Sequence, residues 1–536
     1  MNKSSKAQGR GKRIFSGAAV LLVGSVVAKM LGALYRIPLT NILGAEGMGM
    51  YQLVFPVYAL FMVLATSGIP TALSRTVAEK RACGESAKQY LALSMAVLVL
   101  LGLLFSTAMA ALSKFLAQKQ GNADTYPGFL TIAPAIVCVC VISGFRGWFQ
   151  GEMYMLPTAL SNVIEQVVKL AAGLGLSYAF SQRGVVQAVC GALLGVTLSE
   201  IATLIYMLAT YFVRSKKNGE REKIRLRIQK QDAKAMLRVA LPIAAVSVLM
   251  PLSSFFDSVI VVNMLKAYGL AKSVATAQYG IISGPVNSLV NMPVVAIMSL
   301  AVAIVPSVSA SRVTRDIDGV MLKSSLCVRL AYLLGIPFAF YLAVFAKNII
   351  GALYPDLSFS DAIVAQNVLR ITAANVVFLS TMQIYVSLLQ ALDKTKYAVL
   401  SFVFAIIAKI ILSVTLTKHM GINGAAIAAL ALPVVAYFGT LLSYYKICGL
   451  RLEKNVGLNL VSGVIMALCA IAVCSFFKND VVTLAVGFVV CLLVYVWLAF
   501  LFNLVSKDDI PHLPLKKLLW ALHKTIRFWE YNNETR

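Results

Sequence analysis

The chain has 536 residues, of which 59% are hydrophobic and only 13% charged, against about 25% charged in water-soluble domains. That excludes a string of soluble domains. The net charge of +26 would suit a nucleic-acid binder, but such proteins gather their charge on a polar surface, and here it lies between long apolar runs.

A helix needs roughly 20 apolar residues to cross the hydrocarbon core. In chain order, the stretches between charged or turn-rich breaks predict fourteen spans: 14–41, 47–74, 88–116, 128–149, 155–180, 185–213, 236–264, 276–310, 321–353, 363–391, 396–417, 422–447, 456–477 and 481–505. Continuous runs of this kind, rather than short alternating segments, exclude a membrane β-barrel. The expected fold class is an all-α integral membrane protein.

The start (Lys3, Lys6, Arg10, Lys12, Arg13) followed by an apolar run has the outline of a signal peptide. The run is longer than a signal core, contains Lys29 and shows no small-residue cleavage site, so an uncleaved first helix is expected. With the N-terminus inside and sides alternating, 35 Lys and Arg fall in inside segments, 8 in outside loops and 5 within spans. That bias predicts two cytoplasmic termini. Counting acids as well, inside segments carry +21, outside loops +3 and spans +2 of the excess.

The chain also repeats itself. A shift of 240 places Gln150 on Gln390, Leu160-Ser161 on Leu400-Ser401, Lys169 on Lys409 and Gly184 on Gly424. An offset of six spans is even, so both copies insert with the same orientation. The expectation is two parallel six-helix lobes, 1–214 and 236–449, with a substrate cavity where they meet. A basic cytoplasmic linker, 215–235, joins them, and 450–536 adds two spans and a tail. The linker is expected to touch anionic lipid. In the tail, Leu515, Leu518, Leu519, Leu522, Ile526 and Trp529 share one face, as in an amphipathic helix on the inner surface.

The nine cysteines form no Cys-x-x-Cys pair, which predicts reduced, packing cysteines. The histidines, His419, His512 and His523, lie in loops or the tail, which argues against a metal site.

A charge within a span costs at least about 2.5–3.5 kcal/mol and normally faces a partner or a cavity. Eight residues qualify: Lys29, Arg36, Glu165, Lys169, Glu200, Asp257, Arg370 and Lys409. Lys29 and Arg36 are seven apart, nearly two helical turns, and share one face. They fit an anionic ligand, with snorkelling to the interface as the alternative for Arg36. Glu165 and Lys169 stand at i and i+4, the favourable order for a self-neutralising pair. The repeat mates Lys169 and Lys409 suit an anion site, because cations at low dielectric repel unless an anion bridges them. Glu200 and Asp257 are either coupling-ion carriers or counter-ions for the lysines. Arg370, in the outer part of its helix, reads either as interfacial or as a fifth cation for the head group.

Gly44-Ala45-Glu46-Gly47-Met48-Gly49-Met50-Tyr51-Gln52 and Ser67-Gly68-Ile69-Pro70-Thr71-Ala72-Leu73-Ser74 resemble the polysaccharide branch of the multidrug/oligosaccharidyl-lipid/polysaccharide (MOP) exporter superfamily. Phe145-Arg146-Gly147-Trp148-Phe149-Gln150-Gly151, with Pro157-Thr158-Ala159 and Ile164-Glu165-Gln166, is similar to the stage V sporulation protein B group, which is related to lipid II flippases of the MurJ type. The likeness runs through most of the chain. It implies export of an undecaprenyl-pyrophosphate-linked saccharide by alternating access, in the bacterial cytoplasmic membrane, without cofactor or catalysis. It also implies basic residues of the first helices in the cavity: Ala28-Lys29-Met30-Leu31-Gly32 matches that motif, with lysine for arginine. The second-helix arginine pair of Gram-negative members has no counterpart near Met62-Val63. Implied partners are the lipid-linked substrate, anionic lipids and proteins of cell-wall synthesis, with no nucleic acid; the chain is expected to be a monomer. Competing readings are a cation-coupled drug exporter of the MATE type, a membrane-embedded glycosyltransferase and an envelope-synthesis scaffold. The first needs an acidic cavity, and the second needs catalytic acids on a sizeable loop.

Overall fold

The computed structural model describes residues 2–217, 230–448, 455–477, 479–502 and 504. Among these residues the fold is all-α. The helices are α1 (Asn2–Thr66), α2 (Ile69–Ala82), α3 (Lys88–Ala111), α4 (Ser113–Lys119), α5 (Tyr126–Gly151), α6 (Leu156–Ser181), α7 (Val185–Lys217), α8 (Lys230–Ala267) and α9 (Lys272–Ile281). They continue as α10 (Asn287–Val313), α11 (Ile317–Val344), α12 (Ala346–Leu353), α13 (Phe359–Thr372), α14 (Asn375–Ala391), α15 (Thr395–Cys448), α16 (Val456–Cys474) and α17 (Asp480–Leu501). Positions 218–229 of the basic linker and the predicted tail helix lie outside the described residues.

Among the described residues, eleven helical runs are long and apolar enough to cross a membrane, or twelve when α13 and α14, bent by 44° at their junction, count as one. The chain is therefore a multi-pass membrane protein. Two of the runs, Gly24–Ala82 and Thr395–Cys448, extend over 59 and 54 residues, more than twice what a crossing needs. The first leaves helical geometry at Gly44 (φ 66°) and again at Gly68 (φ 80°), and the second at Gly421 (φ 59°), a backbone region that glycine enters without penalty. The predicted count of fourteen is reached only when each of these runs is taken as two crossings; length and hydropathy by themselves give eleven or twelve.

The helices group into two compact units, Met1–Pro285 and Val286–Arg536. In the first, α1 packs along α3, α5, α6 and α7, and also against α8 and α9. Small residues permit the close crossings, as between membrane helices generally. A Cβ on Gly24 would stand 2.8 Å from that of Ala159, and one on Gly195 would enter the backbone of Gly173. Likewise a Cβ on Gly280 would enter the backbone at Gly49.

A polar mesh holds α8 and α9 to this unit. Gln120 Nε2 donates to Leu53 O (2.8 Å) and Ser258 Oγ (2.8 Å), and Asn122 donates to Thr276 Oγ1 (3.1 Å). Gln52 Nε2 donates to Ser283 O (3.0 Å), and Lys272 pairs with Asp124 at 2.6 Å. The division into compact units falls at 285/286, beyond α8 and α9. Pro285 sits there in a five-residue π-turn, Ile282–Val286, where its missing N–H already weakens the helical ladder.

In the second unit, α10, α11 and α14 pack together, α15 lies on α14, and α16 packs on α11. Gly463 sits under Phe340 and Gly487 under Phe345. Tyr495 donates to Asn459 Oδ1 (3.0 Å), tying α17 to α16, and Asn348 donates to Asp480 Oδ1 (2.7 Å), tying α12 to α17.

Several helices end on a residue in the left-handed region. Met153 (φ 60°) ends α5 and Asp393 (φ 54°) ends α14, 240 positions apart. The bonds that close the two turns match: Met153 N to Gln150 O and Tyr154 N to Phe149 O in one, Asp393 N to Gln390 O and Lys394 N to Leu389 O in the other. Next to the first turn, Glu152 pairs with Arg81 (2.9 Å) and Arg214 (3.2 Å); beside the second, Arg312 pairs with Asp393 (2.6 Å). A non-glycine residue in the left-handed region costs about 1–2 kcal/mol, and Met153 is 55% exposed, with little packing to lose. Met153→Gly is expected to stabilise the protein by about 0.5–1 kcal/mol, read as a later thermal unfolding midpoint in detergent. A midpoint at or below that of the parent would contradict the strain.

Candidate functional site

The charges of the first unit converge on α1, α5, α6 and α7. On α1, Gly32 stands between Lys29 and Arg36, and a Cβ there would come 3.0 Å from Gln166 Oε1 on α6. The face of α1 that carries both cations is thus laid on the α6 turn bearing Glu165, Gln166 and Lys169. Lys29 is exposed and Arg36 half-buried.

Glu165 does not pair with Lys169. Its Oε2 pairs with Arg146 Nη2 at 3.0 Å, and its Oε1 accepts from Gln166 Nε2 at 3.0 Å. Arg146 is fixed from a second side by Ser161 Oγ, 3.0 Å from its Nε. This corrects the expected self-neutralising pair. An i,i+4 lysine reaches its carboxylate through a flexible stem, whereas arginine offers a rigid fork, and α5 places that fork directly beside Glu165. Arg146 escaped the intramembrane set because it stands near the end of the predicted 128–149 span and counts with the inside connection. Its signal was the Phe145-Arg146-Gly147 motif.

Lys169 instead lies with Nζ 5.7 Å from the ring centroid of Tyr35. Among the described residues it forms no ion pair. Tyr35 is 2% exposed and its hydroxyl has no hydrogen-bond partner. The ring has room because α6 offers Gly173, where a Cβ would stand 2.5 Å from Tyr35 Oη. Arg36 lies in the electrostatic field of Lys169, so two cations share this region.

Glu200 on α7 is buried and has no hydrogen bond or ion pair among the described residues; Glu165, Arg146 and Lys169 are its charged neighbours. The glycine crossing of α6 and α7 at Gly173 and Gly195 brings them together. Asp257 is half-buried on α8, in the field of Tyr279 on α9. In the second unit, Lys409 is half-buried on α15 and Arg370 is exposed in the last turn of α13. Of the eight expected residues, Arg36, Glu165, Lys169 and Glu200 gather into one cluster, which Arg146 completes.

A family model described as "Polysaccharide biosynthesis protein" matches residues 14–312. The chain is 27% identical over 520 residues to stage V sporulation protein B of Bacillus subtilis (strain 168), covering 93% of this chain and 97% of that protein. It is 24% identical to lipid II flippase MurJ of the same organism over 438 residues, 78% of this chain and 79% of that one. Among solved structures, a lipid II flippase MurJ in an inward closed conformation superposes with a TM-score of 0.71 at 13% identity, covering 90% of this chain and 98% of that one. An inward-facing MATE family transporter of the MOP superfamily superposes with a TM-score of 0.68 at 16% identity, covering 80% and 96%. These likenesses show a shared fold. With more than half of its length matched by one family model, the chain belongs to the polysaccharide biosynthesis protein family.

Proposed function

We propose that the protein is a flippase that exports an undecaprenyl-pyrophosphate-linked saccharide, lipid II or a related cell-wall or spore-cortex precursor, from the inner to the outer leaflet by alternating access. The observation that carries this reading is Lys169, an ammonium inside a membrane helix with an aromatic face beneath it and no carboxylate on it. A cation so placed is costly unless an anion visits it, and a pyrophosphate is such an anion. The name of one similar protein, lipid II flippase MurJ, supports the same substrate class, and that of another, stage V sporulation protein B, suits a role in sporulation.

In this reading Lys29, Arg36 and Lys169 receive the head group in the first unit, and Lys409 and Arg370 are the substrate-binding cations of the second. Glu165 is a counter-ion, and Glu200 and Asp257 are the groups for a coupling ion. The protein acts without catalysis, as a monomer in the bacterial cytoplasmic membrane with both termini inside, and its basic linker touches anionic lipid. A MATE-type drug exporter would need a surplus of carboxylates for cationic cargo, whereas Arg36, Arg146 and Lys169 outnumber Glu165 and Glu200.

The test is flipping of fluorescent lipid II by purified protein in proteoliposomes, with and without an imposed potential. Each negative charge moved outward against a negative interior gains about 2.3 kcal/mol per 100 mV, so the rate is expected to rise with potential. No flipping of any lipid-linked saccharide would remove the reading. A rate indifferent to potential but lost in Glu200→Gln would place the driving force on a coupling ion instead.

A further inference from the structure

We infer that Arg146 is a positioning residue whose task is to hold the Glu165 carboxylate away from Lys169, so that the ammonium stays available to an incoming phosphate anion. The inference rests on the head-group reading of Lys169 and adds to it how that charge is kept uncommitted.

Glu165 and Lys169 stand at the spacing and in the order in which a helix pairs its own charges, and at low dielectric the attraction is larger than in water. Left to themselves they would neutralise each other, and the site would lose its anion affinity. Three bonds prevent this. Arg146 Nη2 takes Glu165 Oε2, Gln166 Nε2 takes Oε1, and Ser161 Oγ holds Arg146 Nε, each at 3.0 Å. One carboxylate oxygen is thereby held by α5 and the other by the next residue of α6. On the other side, Tyr35 gives Lys169 a face that stabilises a cation without neutralising it. A plain structural role for Arg146 would require only that the α5–α6 packing persist. The positioning role requires that the harm of losing Arg146 come from the freed carboxylate.

Removing the carboxylate together with the arginine distinguishes the two. Binding of lipid II to purified protein in nanodiscs is the readout. Arg146→Gln is expected to weaken binding at least tenfold, because Glu165 then closes on Lys169. Adding Glu165→Gln to that variant is expected to restore at least most of the loss. Glu165→Gln by itself is expected to bind severalfold more tightly than the parent, since a negative charge beside the ammonium is gone; that variant retains the arginine and keeps the test decisive if Arg146→Gln does not fold. A double variant no better than Arg146→Gln, or a Glu165→Gln variant weaker than the parent, overturns the inference while the head-group site stands. Parental binding by Lys169→Gln would remove the site itself and the inference with it.

Discussion

Lys169→Ala is expected to slow flipping of a lipid-linked saccharide by about 10- to 100-fold in proteoliposomes, with insertion and monodispersity unchanged. The magnitude follows from the bond that alanine cannot make to the head group: a hydrogen bond to a charged group contributes about 1.5–3 kcal/mol, and each 1.4 kcal/mol is tenfold. Insertion should not suffer, because the substitution removes a charge that is expensive in the membrane and that no carboxylate compensates directly. Lys169→Arg separates charge from shape. A planar guanidinium keeps the charge but not the compact ammonium that lies over the Tyr35 ring, so arginine should recover only part of the rate. A parental rate in Lys169→Ala would remove the anion-site reading.

The second large effect is on folding. Gly195→Val is expected to abolish recovery of monodisperse protein. The Cβ would stand inside the backbone of Gly173, and that neighbour is main chain, so no side-chain rotation relieves the clash. Overpacking where side chains can yield costs about 1–3 kcal/mol; here α6 and α7 would have to part along their crossing. The same crossing brings Glu200 beside Glu165 and Lys169, so even a milder Gly195→Ala variant should disturb the site before the rest of the unit. Normal yield and thermal stability in Gly195→Val would show that the two helices do not cross this closely.

Much of this was legible in the sequence, for reasons that lie in particular residues. Apolar runs broken by charge identified a helical membrane protein because the bilayer enforces a length and a composition. The repeat is read from Gln150 and Gln390 and from Lys169 and Lys409. The gaps between the predicted spans 14–41 and 47–74, and between 396–417 and 422–447, contain Gly44 and Gly421, the residues at which the two longest helices leave helical geometry. The attachment of α8 and α9 to the first unit was not legible: the bonds from Gln120 to α8, from Asn122 to α9 and from Gln52 to Ser283 in the π-turn join residues more than 130 positions apart, and polar residues at span ends read as ordinary loop. Nor was the partner of Glu165. Spacing along one helix offers Lys169, while Arg146 arrives from another helix by tertiary packing. Moving Arg146 into the membrane set changes the charge balance from +21 inside and +2 in spans to +20 and +3, which raises the share of charge that bears on cargo.

The turns at 153 and 393 bear on how this chain tolerates change. Methionine and aspartate have nothing in common chemically, yet both occupy the same left-handed backbone and close it with the same main-chain bonds, as do Gly84, Gly121, Gly269 and Arg315 at other helix ends. Such a stop survives the exchange of side chains because it is written in torsion angles. The side chains around it are then left to electrostatics: a carboxylate shared by two arginines beside the first turn, a single pair at the second.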